Sequence, residues 1–134
     1  MCPLDYDIDE DLGVVHLRGS GQVTNDDMQN MPTRVAADKR LRKGMLSLTD
    51  LSNITEYKVT TEGVERYMAT LESTREVRGQ SKAAIVAPMD LHYGMARVLE
   101  LKSDGRGPLR YMVFRNREDA CKWLGIDDPE SVTK

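Results

Sequence analysis

The sequence predicts a single α/β domain built on a mostly parallel or mixed sheet. Three observations lead to this fold class. Segments with the two-residue alternation of strands take turns with segments of helical spacing. The first two strands lie so close in the chain that they can pair only as a hairpin. A continuous apolar run in the second half is typical of a strand covered on both faces. The predicted order is β-β-α-β-α-β-α-β-α, with about five strands and four helices.

The first part of the chain begins with the hairpin. Apolar residues alternate with aspartates over residues 4–9, and a second strand over residues 12–18 ends at the glycine-rich residues 19–21, interpreted as a turn or bulge. A helix is expected from Asn25, which can cap it. Pro32 lies inside this helix and should kink it or delay its start.

The third strand is short, and a helix follows it after a loop. This strand ends at Asp50, and a loop over residues 51–61 leads to a helix that Thr60 or Thr61 caps and Gly79 closes. Apolar residues at helical spacing form a clear stripe along this helix.

The remaining elements alternate regularly. The continuous apolar run over residues 83–87 is the fourth strand, and Asp90 can cap the helix after it. The last strand covers residues 111–114. Asn116 caps a closing helix that Gly125 ends.

Length, composition and charge narrow the class of protein. The chain has 134 residues and a net charge of −3, with no apolar run long enough for a membrane-spanning helix. The charge argues against nucleic-acid binding through bulk electrostatics. Cys2 and Cys121 are too few for a disulfide framework, and no secretion signal is recognised. We expect a cytoplasmic protein with one domain over residues 1–125 and a tail over residues 126–134.

Several segments resemble a known family. With the order of elements, they are similar to the STAS family, whose founding member is the sporulation anti-sigma-factor antagonist. The likeness covers about residues 4–125. Its second half is similar to small, mostly uncharacterised bacterial STAS-like proteins related to lipid-binding Sec14-like proteins. The segments that carry the resemblance are Leu48-Thr49-Asp50-Leu51-Ser52-Asn53-Ile54-Thr55, Lys82-Ala83-Ala84-Ile85-Val86-Ala87-Pro88, Tyr93-Gly94-Met95-Ala96-Arg97, Val113-Phe114-Arg115 and Ala120-Cys121-Lys122-Trp123-Leu124.

The resemblance implies a partner-binding surface with a phosphorylated hydroxyl at the start of the second helix. The matching residues here are Thr60 or Thr61, with Asp50 and Ser52 on the segment before them. The family's leading acid is missing, and Glu62 would oppose a phosphate there. The alternative is that the threonine only caps the helix, which threonine does well.

A second candidate site lies at the turn after the fourth strand. Ligands of open α/β sheets bind beyond the carboxyl ends of strands, next to helix N-termini. His92, Tyr93, Gly94 and Arg97 follow such a strand end and together could bind an anionic head group. In the alternative interpretation, Arg97 only pairs with Glu100 or Asp104.

Other chemistry finds little support in the sequence. No motif of a catalytic nucleophile is present, His16 lies mid-strand without further metal-type residues near it, and neither a metal nor a cofactor is expected. The basic run over residues 34–43 is interpreted as a solvated helix end. Most of the eight methionines lie on helical stripes, so core packing explains them, although a methionine-lined cleft can also accept a lipid or a peptide.

The leading hypothesis is therefore a STAS-like regulatory or adaptor domain that binds a protein partner without catalysis. The second helix and the loop over residues 51–61 would form its contact surface. The alternative is a binding protein or sensor for a small anionic or lipid-like ligand. Homodimerisation through the first strand or a helix face is compatible with either hypothesis.

Overall fold

A computed structural model describes residues 3–128 of the chain. Its elements follow the predicted order, with one helix more because the second predicted helix is divided in two. The strands are β1 (Leu4–Asp9), β2 (Val14–Thr24), β3 (Leu46–Lys58), β4 (Ser81–Val86) and β5 (Leu109–Phe114). The helices are α1 (Asn25–Ala36), α2 (Thr61–Glu72), α3 (Arg75–Arg78), α4 (Asp90–Lys102) and α5 (Arg117–Leu124).

The strands form one mixed sheet in the order β1-β2-β3-β4-β5. β1 and β2 pair antiparallel as the predicted hairpin, and each of the other neighbouring pairs is parallel. The predicted fold class, an α/β domain with a largely parallel sheet of five strands, is confirmed.

β2 and β3 are longer than predicted. β2 runs on through Gly19-Ser20-Gly21, and β3 includes most of the segment expected to be the loop over residues 51–61. The register between the two strands shifts twice along this stretch, and each shift leaves an extra residue on β3. The glycine-rich segment is therefore a continuous part of β2 that pairs with a bulged stretch of β3, and it is not a turn.

These register shifts explain why the sequence pattern of β3 is misleading. Leu51, Ile54 and Tyr57 are buried at intervals of three residues. Regular strands bury every second residue, and the extra residues of the bulges stretch this spacing. The segment consequently lacks the alternation by which a half-buried strand is recognised.

Helices cover both faces of the sheet. α1, α2 and α4 pack on one face over the larger hydrophobic core, and α5 packs on the other over a smaller one. Ala83 and Ile85 of β4 belong to the larger core, whereas Ala84 and Val86 belong to the smaller. This agrees with the prediction that the apolar run is a strand covered on both faces.

The N-termini of α1 and α2 lie side by side. Thr24, rather than Asn25, caps α1 and forms a capping box with Asp27. Asn25 instead binds the start of α2: its Oδ1 accepts from the backbone N–H of Thr60 at 2.9 Å, and its Nδ2 donates to the Thr60 hydroxyl at 3.0 Å. Pro32 lies buried within α1 and does not delay its start.

The second predicted helix is interrupted at Ser73 and Thr74. Both hydroxyls donate to backbone carbonyls three residues earlier, that of Thr74 to Leu71 at 2.6 Å. Such bonds compete with the helical pattern. The chain resumes as the short helix α3, which ends in Arg78 and is followed by Gly79 with a φ of 69°.

Acidic and basic residues meet at the β1 edge of the sheet. Arg40 binds Asp7 at 2.8 Å and Arg42 binds Glu10 at 3.2 Å. The basic run therefore extends past the end of α1, and two of its arginines pair with acidic residues of the hairpin.

The segment predicted as a tail begins close to the domain. Gly125 ends α5 in the left-handed conformation, as expected. Ile126 packs against the smaller core, and Asp128 is ion-paired with Arg117. The rest of the predicted tail, residues 129–134, and Cys2 lie outside the described residues.

We predict opposite effects for alanine at two helical glycines. A Cβ on Gly63 would lie 2.0 Å from Oδ1 of Asn25, so Gly63→Ala should displace Asn25 and cost about 1–3 kcal/mol through its two lost hydrogen bonds. Gly94 has no atom within 4 Å of such a Cβ. Gly94→Ala should stabilise α4 by about 0.5–1 kcal/mol. Urea denaturation measures both changes, and equal effects at the two positions would contradict the close approach at Gly63.

Candidate functional site

The four candidate residues at the start of α4 have separate surroundings. His92 is buried, with its ring centroid 6.4 Å from that of Tyr57. The guanidinium of Arg115 lies over the ring of Tyr93, 4.2 Å from its centroid, and Gly94 is exposed. Arg97 pairs with Glu100 at 3.4 Å. The structure thus does not gather these side chains around one cleft.

The start of α4 also differs from the expectation in its cap. Met89 occupies the N-cap position and makes no side-chain capping bond. The carboxylate of Asp90, the expected cap, instead accepts from Arg115 at 2.5 Å. This pair fixes the loop after β4 to the end of β5.

Asp50 connects β3 to α5. Its carboxylate accepts from the backbone N–H of Ser52 at 2.8 Å and from Arg117 at 2.7 Å. Arg117 also binds Asp128 and donates to the buried ring of His16 at 3.2 Å, so His16 has the structural role expected for it. Ser52 is exposed beside this cluster.

The electrostatic consequence is a stabilised carboxylate. Burial raises the pKa of Asp50, but hydrogen bonds from Ser52 and Arg117 outweigh it and hold the pKa below its ordinary value of 3.8. Asp50 therefore remains charged at neutral pH and anchors α5.

Thr60 caps α2, as one of the two interpretations expected. Its hydroxyl accepts from the backbone N–H of Gly63 and from Asn25, each at 3.0 Å. Thr61 follows as the first helical residue and is exposed. The hydroxyl of Thr60 makes two hydrogen bonds at the start of α2. The hydroxyl of Thr61 is therefore more accessible to modification than that of Thr60.

Sequence reasoning missed Arg78, whose side chain is buried in the larger core. Arg78 is 3% exposed, and its Nη2 donates to the hydroxyl of Ser47 at 2.7 Å. Its Nη1 is buried and has no hydrogen-bond partner among the described residues. Burial lowers the pKa of this guanidinium, which nonetheless keeps its charge at neutral pH.

A signal for this burial is present in the sequence. Tyr67, Leu71, Thr74 and Arg78 follow one another at intervals of four, three and four residues. This spacing continues the apolar stripe of α2 into α3 and so places Arg78 on the face that packs on the sheet. An arginine beside a helix-ending glycine otherwise suggests only an exposed helix end.

Two adjoining cavities lie between the sheet and its helices. The first, about 30 Å³, is lined by Arg78, Ser47 and mostly apolar side chains. The second, about 40 Å³, extends along the strands towards Tyr57 and has mainly apolar walls. The residues that line both cavities are Leu17, Met31, Thr49, Tyr67 and Tyr111.

A pair of tyrosines stands where the cavities meet. The hydroxyls of Tyr67 and Tyr111 are hydrogen-bonded to each other, and the ring centroids are 6.3 Å apart. Burial raises the pKa of both phenols, so both are neutral. One of the two protons is used in the shared bond, which leaves the other able to donate to a group in the cavity.

Neither a candidate metal site nor a membrane-spanning helix is present in the described residues. Within residues 3–128, no three side chains of the metal-ligating types come together as a candidate ion site. Every helix in the described part of the chain is too short or too polar to cross a bilayer. Cys121 is buried in the smaller core, as expected, and burial raises the pKa of its thiol.

Comparison with known proteins supports the fold and goes no further. No family model matches the sequence. No curated protein matches it either. A solved structure that is similar belongs to an uncharacterised protein of the DUF3478 family with a SpoIIAA-like fold, from Shewanella loihica PV-4. The similarity covers 90% of this chain and 91% of that one, at 16% sequence identity and a TM-score of 0.55. The predicted resemblance to the anti-sigma-factor-antagonist fold is thereby confirmed at the level of the fold.

We predict that acid weakens the fold through Asp50. Because its pKa is lower in the folded chain than in the unfolded one, its contribution to stability is present above about pH 4 and is lost as the pH falls through the folded pKa. Asp50→Asn should therefore cost about 1–3 kcal/mol at pH 7 and progressively less towards pH 3. Urea denaturation at several pH values measures this.

The same substitution at the exposed Asp11 is the control. A difference between the wild type and Asp50→Asn that stays constant from pH 7 to pH 3 would contradict the assigned role of Asp50.

Proposed function

We propose that this chain is a non-catalytic module that binds a small anionic molecule in its interior. The observation that carries the proposal is Arg78, a buried cation with an unpartnered Nη1 on the wall of a cavity. This is the alternative hypothesis of the sequence analysis, with the site moved from the start of α4 to the space beneath α1 and α2.

Arg78 carries a buried positive charge without an opposite charge beside it among the described residues. Removing an arginine from water costs several kcal/mol unless an opposite charge compensates it. No carboxylate among the described residues is paired with Arg78, whose direct side-chain partner is the hydroxyl of Ser47. An anion in the cavity would supply the missing charge.

The other polar groups around the cavity also favour an anion. Arg78 is a pure donor. The hydroxyl of Ser47 accepts from Arg78 and so has its own proton to donate, and the tyrosine pair has a second proton to donate. A site with several free donors matches a ligand that is rich in acceptors, such as a carboxylate or a phosphate.

We predict that Arg78→Met separates binding from stability. Methionine has similar length without charge, so the variant should be at least as stable as the wild type, because replacing buried charges with apolar side chains is often neutral or stabilising. It should no longer bind anions. Amide chemical shifts of Ser47 and Thr49 during titration with phosphate, acetate and hexanoate measure binding, and urea denaturation measures stability.

Arg75→Met is the matched control, since Arg75 lies on the same short helix but pairs with Glu72 at the surface. It should bind the same anions as the wild type. The proposal fails if none of these anions binds the wild type, or if Arg78→Met binds them equally well.

One observation favours a second function, the binding of another protein chain. Met89 and Leu91 lie at the start of α4 with 59% and 69% of their surface exposed. Neighbouring exposed apolar side chains mark interaction surfaces in folded proteins. This surface differs from the contact surface that the resemblance implies, which consists of α2 and the segment before it.

We predict that Leu91→Glu weakens self-association without unfolding the domain. If the start of α4 binds a second copy, the wild type should sediment faster as its concentration rises, and Leu91→Glu should sediment as a monomer. Thr61→Glu, on the surface implied by the resemblance, is the comparison. Concentration-independent sedimentation of the wild type as a monomer would exclude a homodimer.

A further inference from the structure

The two cavities differ in chemical character. The first contains the one charged residue among the described lining residues, Arg78, together with Ser47. The second is lined by aliphatic and methionine side chains, one threonine and three tyrosines. Thr49, Met31 and the tyrosine pair line both, so the polar cavity adjoins the apolar one.

From this arrangement we infer that the ligand is a short unbranched aliphatic monocarboxylate, with its carboxylate at Arg78 and its chain in the second cavity towards Tyr57. The inference rests on the proposed function and specifies its ligand class. It assigns the head group and the tail to different named residues, so the two parts can be tested separately.

The charge of the site selects the head group. Arg78 supplies one positive charge, and the remaining polar groups near it are neutral hydroxyls. A carboxylate carries one negative charge and accepts two parallel hydrogen bonds from a guanidinium. A phosphate with about two negative charges would leave one uncompensated in a buried position.

The shape of the site selects the tail. Ser47, Thr49 and Leu51 occupy alternate positions of β3, and the first two line the polar cavity whereas Leu51 lines only the apolar one. In an extended strand, two residues four positions apart, such as Ser47 and Leu51, are separated by about 13 Å. The two cavities therefore follow one another along β3, an arrangement that suits an extended chain better than a ring or a branched body.

The volumes limit the length of the tail. The cavities measure about 30 and 40 Å³, whereas a cavity that accepts benzene has about 150 Å³. A chain of several carbons therefore requires side chains to move aside. Met28 and Met31 line the apolar cavity, and methionine side chains adapt readily because they are unbranched and flexible.

The test is a titration with acetate, butyrate and hexanoate, each paired with the alcohol of the same length. Affinity should rise about fourfold for each added methylene that enters the apolar cavity. The carboxylates should bind the wild type and Arg75→Met but not Arg78→Met. The alcohols should show no dependence on Arg78.

The methyl groups of methionine provide a readout independent of affinity. Met28 lines only the apolar cavity. Its ¹³C-methyl resonance should move with hexanoate and stay in place with acetate. Val23 also lines only that cavity, and Val23→Ile adds one methylene to it. This conservative variant should lower the affinity for hexanoate severalfold and leave the affinity for acetate unchanged.

The outcomes separate the inference from the proposed function. If acetate and phosphate bind at Arg78 as tightly as hexanoate and the Met28 resonance does not move, the assignment of the aliphatic tail is wrong while the anion site stands. If no carboxylate or phosphate binds at Arg78, both are wrong. Binding of hexanoate that persists in Arg78→Met also overturns the inference, because the head group would then lie elsewhere.

Discussion

The parallel pairing of β2 with β3 is the constraint on which the rest of the structure depends. α1 begins directly after β2, and α2 begins three residues after β3, so the register of this pair sets the two helix N-termini beside each other. Asn25 then reaches Thr60 and joins the helices. The same register places Leu17 opposite Thr49, and both side chains line the two cavities. The bulges that disturb the pattern of β3 lie beyond Leu17 and Thr49, towards the C-terminal ends of the two strands.

Arg78 shows how a local interruption of a helix can place a charge in the interior. The break at Thr74 ends α2 one turn before Arg78, and the backbone carbonyl of Arg78 accepts from the N–H of Gly44 at 2.7 Å. The backbone of Arg78 is thus tied to Gly44, and its side chain reaches Ser47. A buried charge weakens a fold unless it is compensated. Packing alone does not explain the burial of Arg78, which an anion beside its guanidinium would compensate.

The sequence was informative wherever one periodicity governed a whole element. The alternation of the first hairpin, the stripe of α2 and the apolar run of β4 all follow from burial on one face or on both, and each was predicted correctly. It failed for the second half of β3, because bulges change the spacing of buried residues and no single-residue pattern announces them. It failed for the interior site because partners such as Ser47 and Arg78 are 31 residues apart in the chain. Pairing across that distance is set by the packing of α3 on the sheet.

The close approach of Gly63 to Asn25 also has a consequence for how this fold can diverge. A methyl group at position 63 would occupy the space of the Asn25 side chain, which would then have to leave. Substitutions at the two positions are therefore not independent, and relatives with a larger residue at the third position of α2 should have a small residue, or a differently directed one, at the start of α1. Coupled substitutions at these two positions would identify relatives that keep this junction between α1 and α2. They would do so even where the overall sequence identity is too low for a reliable alignment.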